Sequence, residues 1–280
     1  MPYMKETCVA GRTIEVRKYY NFHVPPPGEQ RGKRTKPTPE SVRKANLRKA
    51  ETDLRRLMNA NFTDKDYHLT LTYRKAPGSV EKLRADAVAY LKKLKRLAKK
   101  TGIRLKYIYV IGAGPHRRHI HMVISGFSEM GTVSDLWEQG HISMTKLYTN
   151  GNYAALAAYF MKNAEDTRQE EIKQGMKPKR RFNSSHNLIK PEVRKEKIAA
   201  KEFRKDPRTR KGYHLIKDLT CSGISELTGM PYLAYTLIKD KNYAGNKPIY
   251  SNRGKRKRPR RRPCSIRAGD DTEERCKGAP

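Results

Sequence analysis

Two short stretches of the chain have residue types and spacing that suit chemistry. In His119-Ile120-His121 two imidazoles stand at i and i+2 of an apolar run, and on a β-strand such positions point to the same side. Their ring nitrogens would converge on one metal ion while Ile120, Met122 and Ile124 enter the core. About forty residues later, Tyr159 and Lys162 stand at i and i+3, a spacing that a helix brings to one face. With 8 histidines in 280 residues, chance supplies roughly 0.2 His-x-His pairs, so the pair gains its weight from the elements around it.

Those elements are legible from hydropathy patterning. Tyr67 to Tyr73 alternates strictly, Leu69, Leu71 and Tyr73 on one face and His68, Thr70 and Thr72 on the other, which predicts a half-buried strand. Ser79 caps a long helix whose apolar stripe (Val80, Leu83, Ala87, Leu91, Leu94, Ala98) opposes Lys92, Lys93, Arg96 and Lys100 and ends at Gly102. Strands over Leu105–Ile111 and His119–Ser125, separated by a turn from Gly112 to Pro115, read as an antiparallel hairpin. A short strand over Gly140–Met144 and a helix opened by Asn152 and running to about Ala164 complete the order β-α-β-β-(β)-α. The expected fold class is α+β, a split βαβ (ferredoxin-like) sandwich with one central antiparallel sheet, helices on one face and the other face open for a ligand.

The flanks are basic. A possible short strand (Ile14, Val16, Tyr20, Phe22) leads into a turn-rich arm from Pro25 to Pro37, and Thr38-Pro39-Glu40 starts a helix to about Asn59. After the core come a Lys-rich stretch, a helix expected from Pro191 to Arg204 and an apolar patch from Tyr232 to Ile238. Eight of the ten residues from Arg253 to Arg262 are basic. Like-charge repulsion should leave this block disordered until it meets DNA, with Lys255, Arg256, Arg258, Arg260 and Arg261 as phosphate contacts. The whole chain carries a formal charge of +34, an excess that calls for a polyanionic partner.

Composition excludes several classes. Cys8, Cys221, Cys264 and Cys276 are scattered, without the paired spacing of a zinc ribbon or disulfide framework. No apolar run approaches the roughly 18 residues of a membrane span and no signal-peptide block opens the chain, so a cytoplasmic location is expected. No Gly-x-x-x-x-Gly-Lys-Ser/Thr segment occurs, so no nucleotide cofactor is expected.

The histidine pair followed by Tyr159-Phe160-Met161-Lys162 resembles the HUH endonucleases, in particular rolling-circle replication initiators of phages, plasmids and integrative elements. Further pieces are similar to the branch related to filamentous-phage gene II protein: His68-Leu69-Thr70-Leu71-Thr72-Tyr73, Arg118 before the pair, Trp137 with Gly140, and Arg181-Phe182-Asn183-Ser184-Ser185 leading to Asn187-Leu188. The resemblance is dense from about Asn61 to Pro191. It divides the chain into a basic N-terminal arm and helix (1–60), an HUH nuclease core (61–166), a basic accessory region (167–250) and a disordered basic tail (251–280).

The resemblance implies metal-dependent, site-specific nicking and joining of single-stranded origin DNA. His119 and His121 would hold a manganese or magnesium ion on the scissile phosphate, and Arg118 would contact DNA. Tyr159 would attack and remain joined to the 5′ end, with the ion and Lys162 favouring its oxyanion. Two-tyrosine members carry the second tyrosine four residues earlier, where this chain has Ala155, and Tyr153 falls on another helix face, so a single-tyrosine mechanism is implied. Relatives commonly add an acidic ligand at the end of the preceding strand, where this chain has Gly112, which leaves water, His116 or Glu138 to complete the site. Strand separation would fall to a host helicase and replication machinery. The other readings are a catalytically inert, basic nucleic-acid-binding module, and a relaxase or transposase using the same chemistry. The joint presence of His-x-His and Tyr-x-x-Lys argues for the enzyme.

Overall fold

The structure, a computed structural model, describes residues 3–20, 38–114, 117–199, 203, 205–224 and 230–241. In chain order its elements are β1 (Tyr3–Ala10), β2 (Thr13–Tyr19), α1 (Pro39–Asn61), β3 (Tyr67–Thr72), α2 (Val80–Lys100), β4 (Tyr107–Ala113), β5 (Arg118–Ile124), α3 (Met130–Asp135), β6 (Ile142–Lys146), α4 (Ala154–Lys173), β7 (Asn183–Ser184), β8 (Val193–Ile198), β9 (Tyr213–Ile224) and β10 (Pro231–Lys239). They form an α+β fold with two five-stranded antiparallel sheets, ordered β6-β3-β5-β4-β7 and β8-β1-β2-β10-β9.

Local signals start the helices as expected. The hydroxyls of Thr38 and Ser79 accept from Ser41 N and Lys82 N, each at 3.2 Å, caps that stabilise by about 1 kcal/mol apiece. Gly102 closes α2 with a positive φ of 70°, a conformation that costs glycine no steric strain.

The first sheet is the expected HUH-type core, but it has no open face. One core joins α2 and α3 to Leu69, Leu71, Ile111, Ile120, Met122 and Ile124. A second, on the other side, joins α1 and α4 to Ile108, Val110 and Val123. Expecting one open face follows from reading α1 as part of a detached arm; its Leu54 and Met58 are fully buried in the sheet's second core. Helix α4 also runs past Ala164 to Lys173. Its apolar stripe stops there, and polar anchors take over. Thr167 Oγ1 accepts from Ala113 N at 2.9 Å and donates to Ile111 O at 2.6 Å, covering the end of β4. Glu171 pairs with Arg84 of α2 at 2.6 Å, and Glu165 with Arg181 at 3.1 Å. These buried contacts hold the helix that carries Tyr159.

The second sheet joins the two ends of the described chain. Val16 of β2 faces Tyr235 of β10, and β1 pairs with β8 from Tyr3↔Ile198 to Cys8↔Val193. The helix expected over Pro191–Arg204 is therefore corrected to strand β8. Its residues suit a helix locally, but the unpaired edge of β1 offers backbone hydrogen bonds and cross-strand ion pairs, Lys195–Glu6 at 3.0 Å and Lys5–Glu196 at 3.6 Å, and tertiary pairing overrides propensity. The apolar patch Tyr232–Ile238 is strand β10. This sheet is tied to α1 by Glu15, which accepts from both Arg55 and Arg56 at 2.7 Å. The arm from Pro25 to Pro37 and the tail with Lys255, Arg256, Arg258, Arg260 and Arg261 lie outside the described residues.

Candidate active site

Strand β5 is central in its sheet, between β3 and β4, and its alternation sends His119 and His121 toward α4 while Ile120 and Met122 enter the other core. The pairings Thr72↔His119 and Thr70↔His121 put the polar face of β3 beside them. The two Nε2 atoms stand 2.9 Å apart. That is about the separation of neighbouring ligand atoms on one ion whose metal–nitrogen bonds are about 2.1 Å.

The outer nitrogens fix the chemistry of the inner ones. His119 Nδ1 lies 3.1 Å from the Arg117 carbonyl, which can only accept, so in the neutral ring the hydrogen sits on Nδ1 and Nε2 offers a lone pair. Asn163, one turn after Tyr159 on α4, donates Nδ2–H to the Tyr159 carbonyl at 2.9 Å. Its Oδ1 is thereby turned to His119 Nε2 at 3.1 Å. Two imidazole nitrogens and an amide oxygen thus point at one another, an arrangement of electron-pair donors suited to a cation.

Burial keeps the inner rings neutral. His121 is 1 % exposed and is pushed down to about 2 by burial first, then by His119 and His68. His68, whose Nε2 is 3.1 Å from His121 Nδ1, is pushed down to about 4 by burial. Both rings lie 5.2 Å from the fully buried ring of Phe160.

Tyr159 is the neighbour of that core aromatic and faces outward. Its ring packs edge-on to His121 at 4.9 Å, yet it remains 48 % exposed. Burial therefore belongs to Phe160, while the Tyr159 phenol is free to meet a substrate at the histidine pair. Lys162 is exposed on the same helix. Tyr153, at the N-cap of α4, is buried, its hydroxyl 3.3 Å from the Phe62 carbonyl and its pKa pushed up to about 12 by burial. It holds the start of the helix in place.

The other expected participants lie elsewhere. Arg118 projects to the opposite face of β5, where it donates to Pro77 O and pairs with Glu170 at 3.8 Å. Glu138 binds Lys93 of α2 at 2.5 Å and is exposed. His116 lies outside the described residues. Gly112 is paired with His119, and a Cβ there would meet the imidazole at 2.5 Å, so the ring of His119 occupies the room that an acidic side chain would need. Among the described residues no three His, Cys, Asp or Glu side chains form a metal cluster; the third donor is the amide of Asn163. Sequence reasoning missed Asn163 and His68, although Asn163 stands four residues from Tyr159 and His68 on the polar side of an alternating strand, the spacings that place both at the site. Trp137 and Gly140 have structural duties, Trp137 Nε1 donating to Thr72 O at 2.8 Å and Gly140 lying against the same carbonyl.

No helix among the described residues is long and apolar enough to cross a membrane. No curated protein and no solved structure matches the chain significantly. Residues 66–167 match the model of a family described as Replication-associated protein ORF2/G2P, a span that contains His68, both site histidines, Tyr159, Lys162 and Asn163. Through that segment, the chain belongs to the replication-associated protein ORF2/G2P family.

Proposed function

We propose that the protein is a rolling-circle replication initiator that nicks and rejoins single-stranded origin DNA through a 5′-phosphotyrosine intermediate. The observation that carries this reading is the convergence of His119 Nε2, His121 Nε2 and Asn163 Oδ1 beside the half-exposed Tyr159. These three side chains are the ones that would hold manganese or magnesium, completed by water and phosphate oxygens. Such an ion supplies Lewis-acid withdrawal of charge from the non-bridging oxygens of the scissile phosphate.

The chain's own groups do the rest. Tyr159 Oη forms the new phosphorus–oxygen bond and its proton passes to solvent, which the exposed ring reaches. The 3′ oxygen leaves with the bonding pair, takes up a proton and becomes a primer end. Lys162, one turn along the same helix, adds positive potential that favours the phenolate. The rigid anchoring of α4 by Thr167, Glu165 and Glu171 keeps the nucleophile in register with β5. Charge excess supplies affinity for the strand, and with no Walker segment in the sequence, a host helicase must open the duplex.

Incubation of the full chain with labelled origin strand and manganese, followed by denaturing electrophoresis, tests the reading. A shifted protein–DNA band is expected that disappears in Tyr159→Phe. A band that persists in that variant places the nucleophile elsewhere, and DNA binding without any band identifies an inert binding module.

A further inference from the structure

We infer that His68 is a positioning residue that holds the buried His121 ring in the tautomer whose Nε2 lone pair faces His119. The inference rests on the metal-binding reading above and explains how one of its ligands is kept ready.

A neutral imidazole carries a single N–H, and at His121 both nitrogens are committed. Nε2 faces His119 Nε2 at 2.9 Å, and Nδ1 faces His68 Nε2 at 3.1 Å. Two arrangements are possible. If His68 Nε2 carries the hydrogen, it donates to His121 Nδ1; His121 must then be protonated on Nε2, and that hydrogen fills the gap toward His119. The centre becomes a hydrogen bond and has no room for a cation. If His121 carries its hydrogen on Nδ1 and donates to His68, both Nε2 lone pairs converge, because the Arg117 carbonyl has already fixed His119 in the corresponding tautomer at 3.1 Å. One hydrogen, shared between His68 and His121, decides which centre exists.

Thr70 does not make this choice. Its hydroxyl lies 3.3 Å from His121 Nδ1 and 3.5 Å from His68 Nε2, and a hydroxyl either donates or accepts. Phe160 orients the ring planes, 5.2 Å from each, but offers no acceptor. His68 is therefore the group able to accept the Nδ1 hydrogen with directional preference, in the way that outer partners commonly fix metal-binding imidazoles.

The test uses the full-length chain with His68→Phe, which keeps a ring against Phe160 but removes the acceptor, and His68→Gln, whose amide oxygen restores one. Imidazole nitrogen NMR of metal-free protein reads the His121 tautomer, electron paramagnetic resonance reads manganese affinity, and thermal unfolding verifies that each variant is folded. The unmodified protein should show His121 protonated on Nδ1. His68→Phe should lose that tautomer and bind manganese roughly 10–100-fold more weakly, and His68→Gln should recover most of both. A His68→Phe protein with the unmodified tautomer and affinity overturns the inference, as does equal loss in both variants. If the unmodified protein binds no manganese, the metal reading fails by itself; the tautomer comparison in metal-free protein still decides the role of His68, a change in His68→Phe supporting it and no change overturning it.

Discussion

Gly112 and His119 share one small volume: they are directly paired on neighbouring strands, and the imidazole stands where a side chain on residue 112 would be, 2.5 Å from an ideal Cβ. A methyl group there must push the ring by about 1 Å, a misplacement that commonly costs on the order of 100-fold in rate. Gly112→Ala should therefore lose about that factor in initial nicking rate and weaken manganese binding, while its cooperative unfolding remains. A Gly112→Ala enzyme that nicks at the unmodified rate would mean that the ring is not needed where it lies.

Removing both imidazoles is the harsher change. His119→Ala with His121→Ala should abolish cleavage and leave DNA affinity nearly unchanged, because affinity comes from the charge excess. Asn163→Ala should lower manganese affinity by roughly 10-fold, since one oxygen donor is lost, and Asn163→Asp should raise it above the alanine variant by adding charge. Calorimetric titration with manganese reads all three. Unchanged affinity in Asn163→Ala would remove the amide from the site.

Tyr153 and Tyr159 should separate cleanly. Tyr153→Phe strips the hydroxyl from the buried Phe62 carbonyl, 3.3 Å away, and should cost about 1–2 kcal/mol of stability while the covalent adduct still forms. Lys162→Ala should slow adduct formation without ending it, since potential near a phenolate lowers a barrier but supplies no bond. Denaturant midpoints and adduct time courses, measured on the same samples, check both. Loss of the adduct in a folded Tyr153→Phe protein would make that residue chemical.

Stability should depend on pH through the two buried rings. His68 and His121 are pushed down to about 4 and about 2, whereas unfolded histidines titrate near about 6.5. Below that value the unfolded chain binds protons that the folded rings refuse. Stability is thus fully present above about pH 6.5 and falls as pH drops, by about 1.4 kcal/mol per pH unit for each ring until its folded pKa is reached. Urea midpoints measured from about pH 6.5 down to about pH 5 should show this, with His68→Phe removing about half of the slope from the pair. A flat profile would mean that the rings are not buried in neutral form.

How much of this was legible depended on how local each signal was. The alternation in Tyr67–Tyr73, the cap at Ser79 and the His-x-His spacing are short-range, and β3, α2 and β5 stand where those signals put them, within a residue or so. Val193–Ile198 was illegible because its state is set by β1, nearly the whole described chain away. The length of α4 was missed for a related reason: beyond Ala164 it is held by Thr167, Glu165 and Glu171, whose partners come from β4, α2 and the segment before β7. At the site, residue types gave the two histidines and the tyrosine. Asn163 and His68 emerge only when strand register and helix phase are combined, since an asparagine or a lone histidine announces nothing by itself.

The sheet that joins Val16 to Tyr235 sets a timetable for synthesis. A ribosome adding about 5–20 residues per second leaves the β1–β2 hairpin waiting on the order of ten to forty seconds for β10 to emerge. Throughout that interval the α2 helix and the histidine-bearing strands can assemble, while the edges of β1 and β2 stay open to any passing strand. The basic residues Lys5, Arg17 and Lys18 along that hairpin discourage such encounters between nascent chains. The nicking core can thus be folded well before its companion sheet closes, so slow maturation is expected to reside at the seam between the two ends.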